Sequence, residues 1–224
     1  MNKNLTERTK KLTIMAMLCA LAYIAVVVIH FPLVPAVPFL EYEPKDVIIV
    51  IGGFLFGPLS AACIAVIVSF IELITISSTG IIGLIMNILS TVAFVCPAAW
   101  AYRKNHTMSG AITGLISGTI LLTAVMVLWN YLITPIYMGY PREAVVELLI
   151  PAFIPFNLLK GAINTALTLL IYKPLVTTLR KSGLLETSSS NGSSVRQFHV
   201  GISLIAVLVL ITCILFVLVL QGKL

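Results

Sequence analysis

The stretch Phe153-Ile-Pro-Phe-Asn-Leu-Leu-Lys-Gly-Ala-Ile-Asn-Thr165 decides how the rest of the chain is read. It lies in an apolar run long enough to cross a bilayer, yet it holds Asn157, Lys160 and Asn164. On a helix these three fall at i, i+3 and i+7 and form one polar stripe, with Gly161 beside it. An ammonium group at membrane depth costs at least ~2.5 kcal/mol unless something receives it. Such a residue is a functional candidate by default, and the remainder of the chain reads as its container.

Working outward, the 224 residues are 59% hydrophobic and 10% charged, with a mean hydropathy of +1.10. Soluble domains carry about 25% charged residues, so the chain is expected to be an all-α integral membrane protein. The net charge of +6 then speaks to orientation in the bilayer and not to nucleic acid. Cys19, Cys63, Cys96 and Cys213 are each isolated in apolar runs without metal-ligand spacing, and read as small packing residues. The first apolar run is longer than the ~7–15 residues of a signal-peptide core, so no cleavable signal is expected.

Leu12 to Ile29 is the first span, and its Ala16-x-x-x-Ala20 puts two small side chains on one face, where another helix can approach closely. Ordinary internal packing is the competing reading of that pair. Prolines at 32, 35, 38 and 44 make residues 30–44 a loop, although Phe31, Phe39, Leu40 and Tyr42 are too apolar for an exposed one. The loop is therefore expected to fold back over the bundle. Helices follow over residues 45–56, 59–76, 81–102, 108–133 and 148–172, with a loop at 134–147. Residues 1–182 thus form one six-helix domain, 183–197 a Ser-rich linker, and 198–224 an extra transmembrane helix without buried charge.

With the N-terminus in the cytoplasm, ten Lys and Arg side chains fall inside and three outside, with Lys160 in the membrane. Asn157 and Lys160 then lie about 10–18 Å below the outer surface at 1.5 Å per residue. Asn87, Asn130 and Glu72 share the outer half. The expectation is a pocket open to the outside, closed toward the cytoplasm and roofed by the proline-rich loop. Glu72 is either the counter-ion of Lys160 or a side chain that snorkels to the surface, and Lys45 and Asp46 read as interfacial caps. The plainer alternative is that the polar groups only bond one another and pin the helices together.

No phosphate loop, HExxH, GxSxG or paired His–carboxylate set occurs, so no enzyme is expected. Nor is there a continuous polar pathway or a pair of broken-helix halves of the kind secondary transporters use. A pocket without an exit implies that another subunit supplies the rest of transport.

The chain resembles the substrate-binding S components of energy-coupling factor (ECF) vitamin transporters, and within them the riboflavin branch, over about residues 10–182. The residues that carry this are Ala16-x-x-x-Ala20, Phe39-Leu-Glu-Tyr-Glu-Pro-Lys-Asp46, Gly53-Phe-Leu-Phe-Gly-Pro58, Trp129-Asn-Tyr131, and Asn157-Leu-Leu-Lys-Gly161 with Asn164. The resemblance implies a six-helix subunit in the cell membrane that captures riboflavin outside. A membrane scaffold and two ATPase subunits then drive uptake. Ala16 and Ala20 match the scaffold-docking positions, residues 39–43 the covering loop, and Asn130, Asn157 and Lys160 the ring-binding positions. The seventh helix departs from the family pattern.

Carboxamides donate and accept at once, which suits the imide edge of a flavin, and Lys160 can donate to a ring carbonyl. Asn164, Asn87 and Glu72 complete the candidate polar set; Leu40, Phe39 and Tyr42 are candidates to cover the ring. No cofactor or metal is expected beyond riboflavin as the transported ligand. The alternatives are an S component for another vitamin or flavin phosphate, and a structural or assembly membrane protein.

Overall fold

The structure is a computed structural model that describes residues 3–181 and 193–223 apart from 36, 38, 39, 78 and 140. Its helices are α1 (Lys3–Val28), α2 (Lys45–Phe56), α3 (Pro58–Thr75), α4 (Gly80–Asn105), α5 (Met108–Met138), α6 (Arg142–Leu148), α7 (Ile154–Lys181) and α8 (Ser193–Leu220). A π-helical turn, Leu149–Phe153, joins α6 to α7. In the loop between α1 and α2, strands β1 (Phe31–Pro32) and β2 (Glu41–Tyr42) pair antiparallel, with Phe31 opposite Tyr42.

Among the described residues, six segments are long and apolar enough to cross a membrane: Thr6–Val28, Pro58–Thr75, Gly80–Asn105, Met108–Tyr137, Arg142–Tyr172 and Gly201–Leu220. The expected seven-helix count is met by α2, which is a different object. Its 12 residues rise only about 18 Å. It compensates by burial: Lys45, Asp46, Val47, Ile49, Val50, Ile51, Gly52, Gly53 and Phe54 are all buried. Helix α2 is the axle of the bundle, touching α1, α3, α4 and α7.

Two boundaries differ from the sequence reading. Residues 134–147 were expected as a loop, but α5 continues through Pro135 to Met138 and α6 occupies Arg142–Leu148. One backbone bond lost to proline near a helix end is a small cost, and membrane helices tolerate it. Pro141 stands directly before α6, where a missing N–H has no consequence, and Glu143 favours the first turn. The expected linker 183–197 lies largely outside the described residues, and α8 already begins at Ser193.

The α4–α5 seam depends on Gly114 and Gly118, part of a Gly110-x-x-x-Gly114-x-x-x-Gly118 series that lets the backbones meet. A Cβ on Gly118 would press on the Phe94 carbonyl oxygen, and one on Gly114 would come 2.8 Å from the Ala98 oxygen. Those are backbone atoms, so no rotamer change relieves the contact. Gly118→Val is expected to destabilise the bundle by about 1–3 kcal/mol, the cost of overpacking, read as a lower thermal midpoint in detergent. An unchanged midpoint would mean that α4 and α5 sit farther apart.

At one end of the bundle Phe54, Tyr102 and Tyr172 pack together, and the Tyr102 and Tyr172 hydroxyls lie 2.5 Å apart. This aromatic cluster closes that end. The other end is open beneath the loop.

Candidate ligand-binding site

The cavity at the open end has a volume of about 500 Å³, within the range of small-molecule sites. Val26 and Val27 of α1, Leu40 and Glu43 of the loop, Glu72 of α3, Met86, Asn87 and Ser90 of α4, Met126 and Asn130 of α5, and Phe156, Asn157 and Lys160 of α7 line it. His30, Glu41 and Tyr137 also contribute. The lining mixes apolar side chains with amides and charged groups.

The π-turn helps present the α7 stripe. Pro151 and Pro155 remove two backbone donors in this short stretch, and π-turns inside helices are frequent at functional sites. The Asn157 Nδ2 donates to the Phe153 carbonyl at 2.8 Å. On α5, the Asn130 Nδ2 donates to the Met126 carbonyl at 2.7 Å, and Thr134 Oγ1 donates to Asn130 Oδ1 at 2.8 Å. Each amide is thus oriented by its own helix, and one Nδ2 hydrogen of each is left over. A carboxamide clamped in this way is preorganised to meet a donor–acceptor edge.

Two chains of contacts run behind this surface. In the first, the Lys45 ammonium, fully buried, lies 2.5 Å from Glu43 Oε2 and 2.5 Å from Glu72 Oε2, and Asn87 Nδ2 donates to Glu72 Oε2 at 3.2 Å. In the second, Tyr42 Oη donates to Asn164 Oδ1 at 2.9 Å, and Asn164 Nδ2 donates to Asp46 Oδ2 at 3.2 Å. Thr91 Oγ1 donates to Asp46 Oδ1 at 2.7 Å. Lys160 Nζ stands 3.7 Å from Asp46 Oδ2. Burial, with Asp46 adding to it, pushes the Tyr42 phenol far up, so the hydroxyl keeps its proton and donates. Burial alone would push the Glu43 carboxyl up as well, but Lys45 and then Lys160 hold it below its ordinary value.

These contacts revise several expectations. Lys45 and Asp46 are not interfacial caps; both are completely buried and are the hubs of the two chains. The covering loop carries them under cover, and each is matched by opposite charge, which is what a buried ion requires. Glu72 lines the cavity, as Asn87 does, but its counter-ion is Lys45 and not Lys160. Asn164 and Tyr42 do not line the cavity; they bond each other behind its wall. Asn130, Asn157, Lys160 and Leu40 do line it. Phe39 lies outside the described residues. Ala16 and Ala20 are exposed on α1, in a row with Leu12 and Ile24 and opposite the buried Ile14, Leu18, Ala22 and Val26.

The sequence reading missed Glu43, Thr91, Ser90, Met86 and Met126. A signal for Glu43 existed. Four of the chain's eight acidic residues, Glu41, Glu43, Asp46 and Glu72, gather at this cavity, three of them within six residues of the loop-to-helix junction.

The family model for the ECF transporter substrate-specific component matches residues 10–172. The chain belongs to that family. This S component is 32% identical over 183 residues to the riboflavin transporter RibU of Streptococcus thermophilus, covering 77% of this chain and 86% of the relative. It is 27% identical to the riboflavin transporter FmnP of Bacillus subtilis, covering 74% and 91%. With the RibU of Staphylococcus aureus it shares 26% identity, covering 78% and 95%. The fold matches a solved S component of a bacterial ECF transporter with a TM-score of 0.67 and 28% identity, over 77% of this chain and 98% of that one. The S component is therefore a multi-pass membrane transport protein and not an enzyme. Helix α8 lies beyond the residues that the family model matches.

Proposed function

We propose that this S component binds riboflavin in the cavity under the loop and delivers it to an ECF scaffold and two ATPase subunits for ATP-driven uptake. One observation carries the reading. Asn130, Asn157 and Lys160 line one cavity, in a chain whose curated relatives from three organisms are riboflavin transporters. The two amides supply paired donors and acceptors for the imide edge, and Lys160 supplies a charged donor for a ring carbonyl. Phe156, Met86, Met126 and Leu40 offer apolar surface for the ring faces. The bias of Lys and Arg places the N-terminus in the cytoplasm and the cavity mouth outside. The exposed Ala16–Ala20 face of α1 is then free to receive the scaffold helix.

Charge favours the free vitamin over its phosphate. Around the cavity Glu43, Glu72 and Asp46 outnumber Lys45 and Lys160, and Lys45 is already held by two carboxylates. A phosphate bringing about −1.5 to −2 charge would meet three carboxylates there, and of the two lysines only Lys160 is loosely held. Purified full-length protein is expected to carry a flavin absorption spectrum. In a titration following flavin fluorescence, flavin mononucleotide is expected to bind at least about tenfold more weakly, roughly 1.4 kcal/mol. Equal or tighter binding of the phosphate would move the reading to a flavin-phosphate carrier. A colourless preparation that binds neither ligand would favour a structural role for the polar cluster.

A further inference from the structure

Helix α8 lies outside the family match, and its uniform hydropathy resembles a simple anchor. Its packing is not uniform. Ala206, Cys213 and Val217 are buried, Leu210 and Leu220 are partly buried, and together they recur at spacings of 4, 3, 4 and 3 residues. That is the seam of a helix built to pack along another surface. Leu204, Leu208, Ile211 and Leu215, on the other side, stay exposed.

The seam belongs to the same apolar core as the covering loop. Cys213 and Val217 share one apolar core with Leu33, Val34, Val37, Leu40 and Tyr42 of the loop, and with Phe153 at the head of α7. At the end of α8, Gln221 Nε2 donates to the Pro32 carbonyl at 3.4 Å. Among its described residues the loop's own backbone bonds are one two-residue ladder, plus Val37 N to Val34 O at 3.1 Å and Leu40 N to Val37 O at 3.0 Å. A segment so poor in backbone bonds opens at low free energy unless side-chain packing holds it. Through Leu40, Glu41 and Glu43 the same loop forms part of the cavity wall.

We propose that α8 is a strap that holds the covering loop down over the cavity, so that ligand leaves more slowly than it would without the helix. Whatever sits under the loop must wait for the loop to lift, and the lift must break the α8 contacts. The strap leaves the proposed docking face alone, since Ala16 and Ala20 remain exposed.

The test uses the full chain in nanodiscs, without ligand, and compares Cys213→Ala/Val217→Ala and Gln221→Ala with the parent. Exchange of the Val37 and Leu40 amides is expected to speed up about tenfold or more in the double variant and by a smaller factor in Gln221→Ala. Exchange in residues 91–99 of α4 is expected to stay unchanged. Loop exchange equal to the parent's in both variants would overturn the strap, and so would an equal rise in α4, which would mean general loosening. Should the double variant not fold, Gln221→Ala decides alone. A second arm follows release of bound riboflavin after dilution, expected to be several-fold faster in the double variant. The exchange arm needs no ligand, so a failure of riboflavin to bind would sink the proposed function and leave the strap standing.

Discussion

Lys45→Met is expected to lower the stability of the S component by about 3–5 kcal/mol, the cost of removing one partner from a buried ion pair. Lys45 has no exposed surface and stands 2.5 Å from Glu43 Oε2 and Glu72 Oε2. Methionine keeps most of the apolar stem but leaves two carboxylates facing each other in a poorly solvated space. Asn87 already donates to Glu72 Oε2 at 3.2 Å and cannot replace a full charge. The loss is therefore electrostatic and not one of packing. Converting the carboxylates as well, in Lys45→Met with Glu43→Gln and Glu72→Gln, should recover a large part of it, because replacing a whole buried ion group is often close to neutral. Thermal midpoints in one detergent measure both variants. A single variant as stable as the parent would show that Lys45 reaches water in the working protein.

The second large effect belongs to Lys160. Lys160→Ala is expected to weaken riboflavin binding by about 1.5–3 kcal/mol, the range for a hydrogen bond to a charged group. Expressed as dissociation constants, that is roughly 10- to 150-fold. The fold should survive this change better than the loss of Lys45. Asp46 keeps Thr91 at 2.7 Å and Asn164 at 3.2 Å after Lys160 is gone, and at 3.7 Å the ion pair itself is loose. A loose partner suits the role, since it leaves the Lys160 amine free to turn toward a ligand. Flavin-fluorescence titration of parent and variant, with thermal midpoints alongside, separates affinity from folding. An unchanged affinity would remove Lys160 from the site.

The two lysines show how far the sequence can be read. Lys160 stood out because it interrupts an apolar run, and any cation at that depth demands a reason. Lys45 carries the same charge and is more deeply buried, yet it read as a cap. It sits beside Glu43, Pro44 and Asp46 at the start of a short helix, which is the composition of a surface junction. Only the partners that α3, α4 and α7 bring to it turn that junction into interior. Asn164 shows the opposite error. Its place on the α7 stripe is as the spacing implies, but a stripe seven residues long turns through two helical turns and rises about 10 Å. Its upper end meets the cavity and its lower end meets Asp46 and Tyr42.

The Gly110, Gly114 and Gly118 series was equally visible and passed over, although it fixes how closely α4 and α5 approach. From the sequence, α8 reads only as an extra transmembrane helix without buried charge, an anchor or a packing helix, because hydropathy records how apolar a segment is and not which side of it packs. Its seam emerges only once α7 and the loop stand beside it.

What the sequence determined by itself was local: which runs must be helices in lipid, and that a charged stripe lies among them. Those properties follow from backbone bonding and transfer cost, which each segment must satisfy on its own. What only the tertiary structure decided was partnership: that Lys45 answers Glu43 and Glu72, that Asp46 answers Lys160 and Asn164, and that the last helix leans on the loop. Pairing depends on which groups remote segments bring within a few ångströms, and in a bilayer the electrostatic energy of a charge is set by that neighbour more than by its own place in the chain.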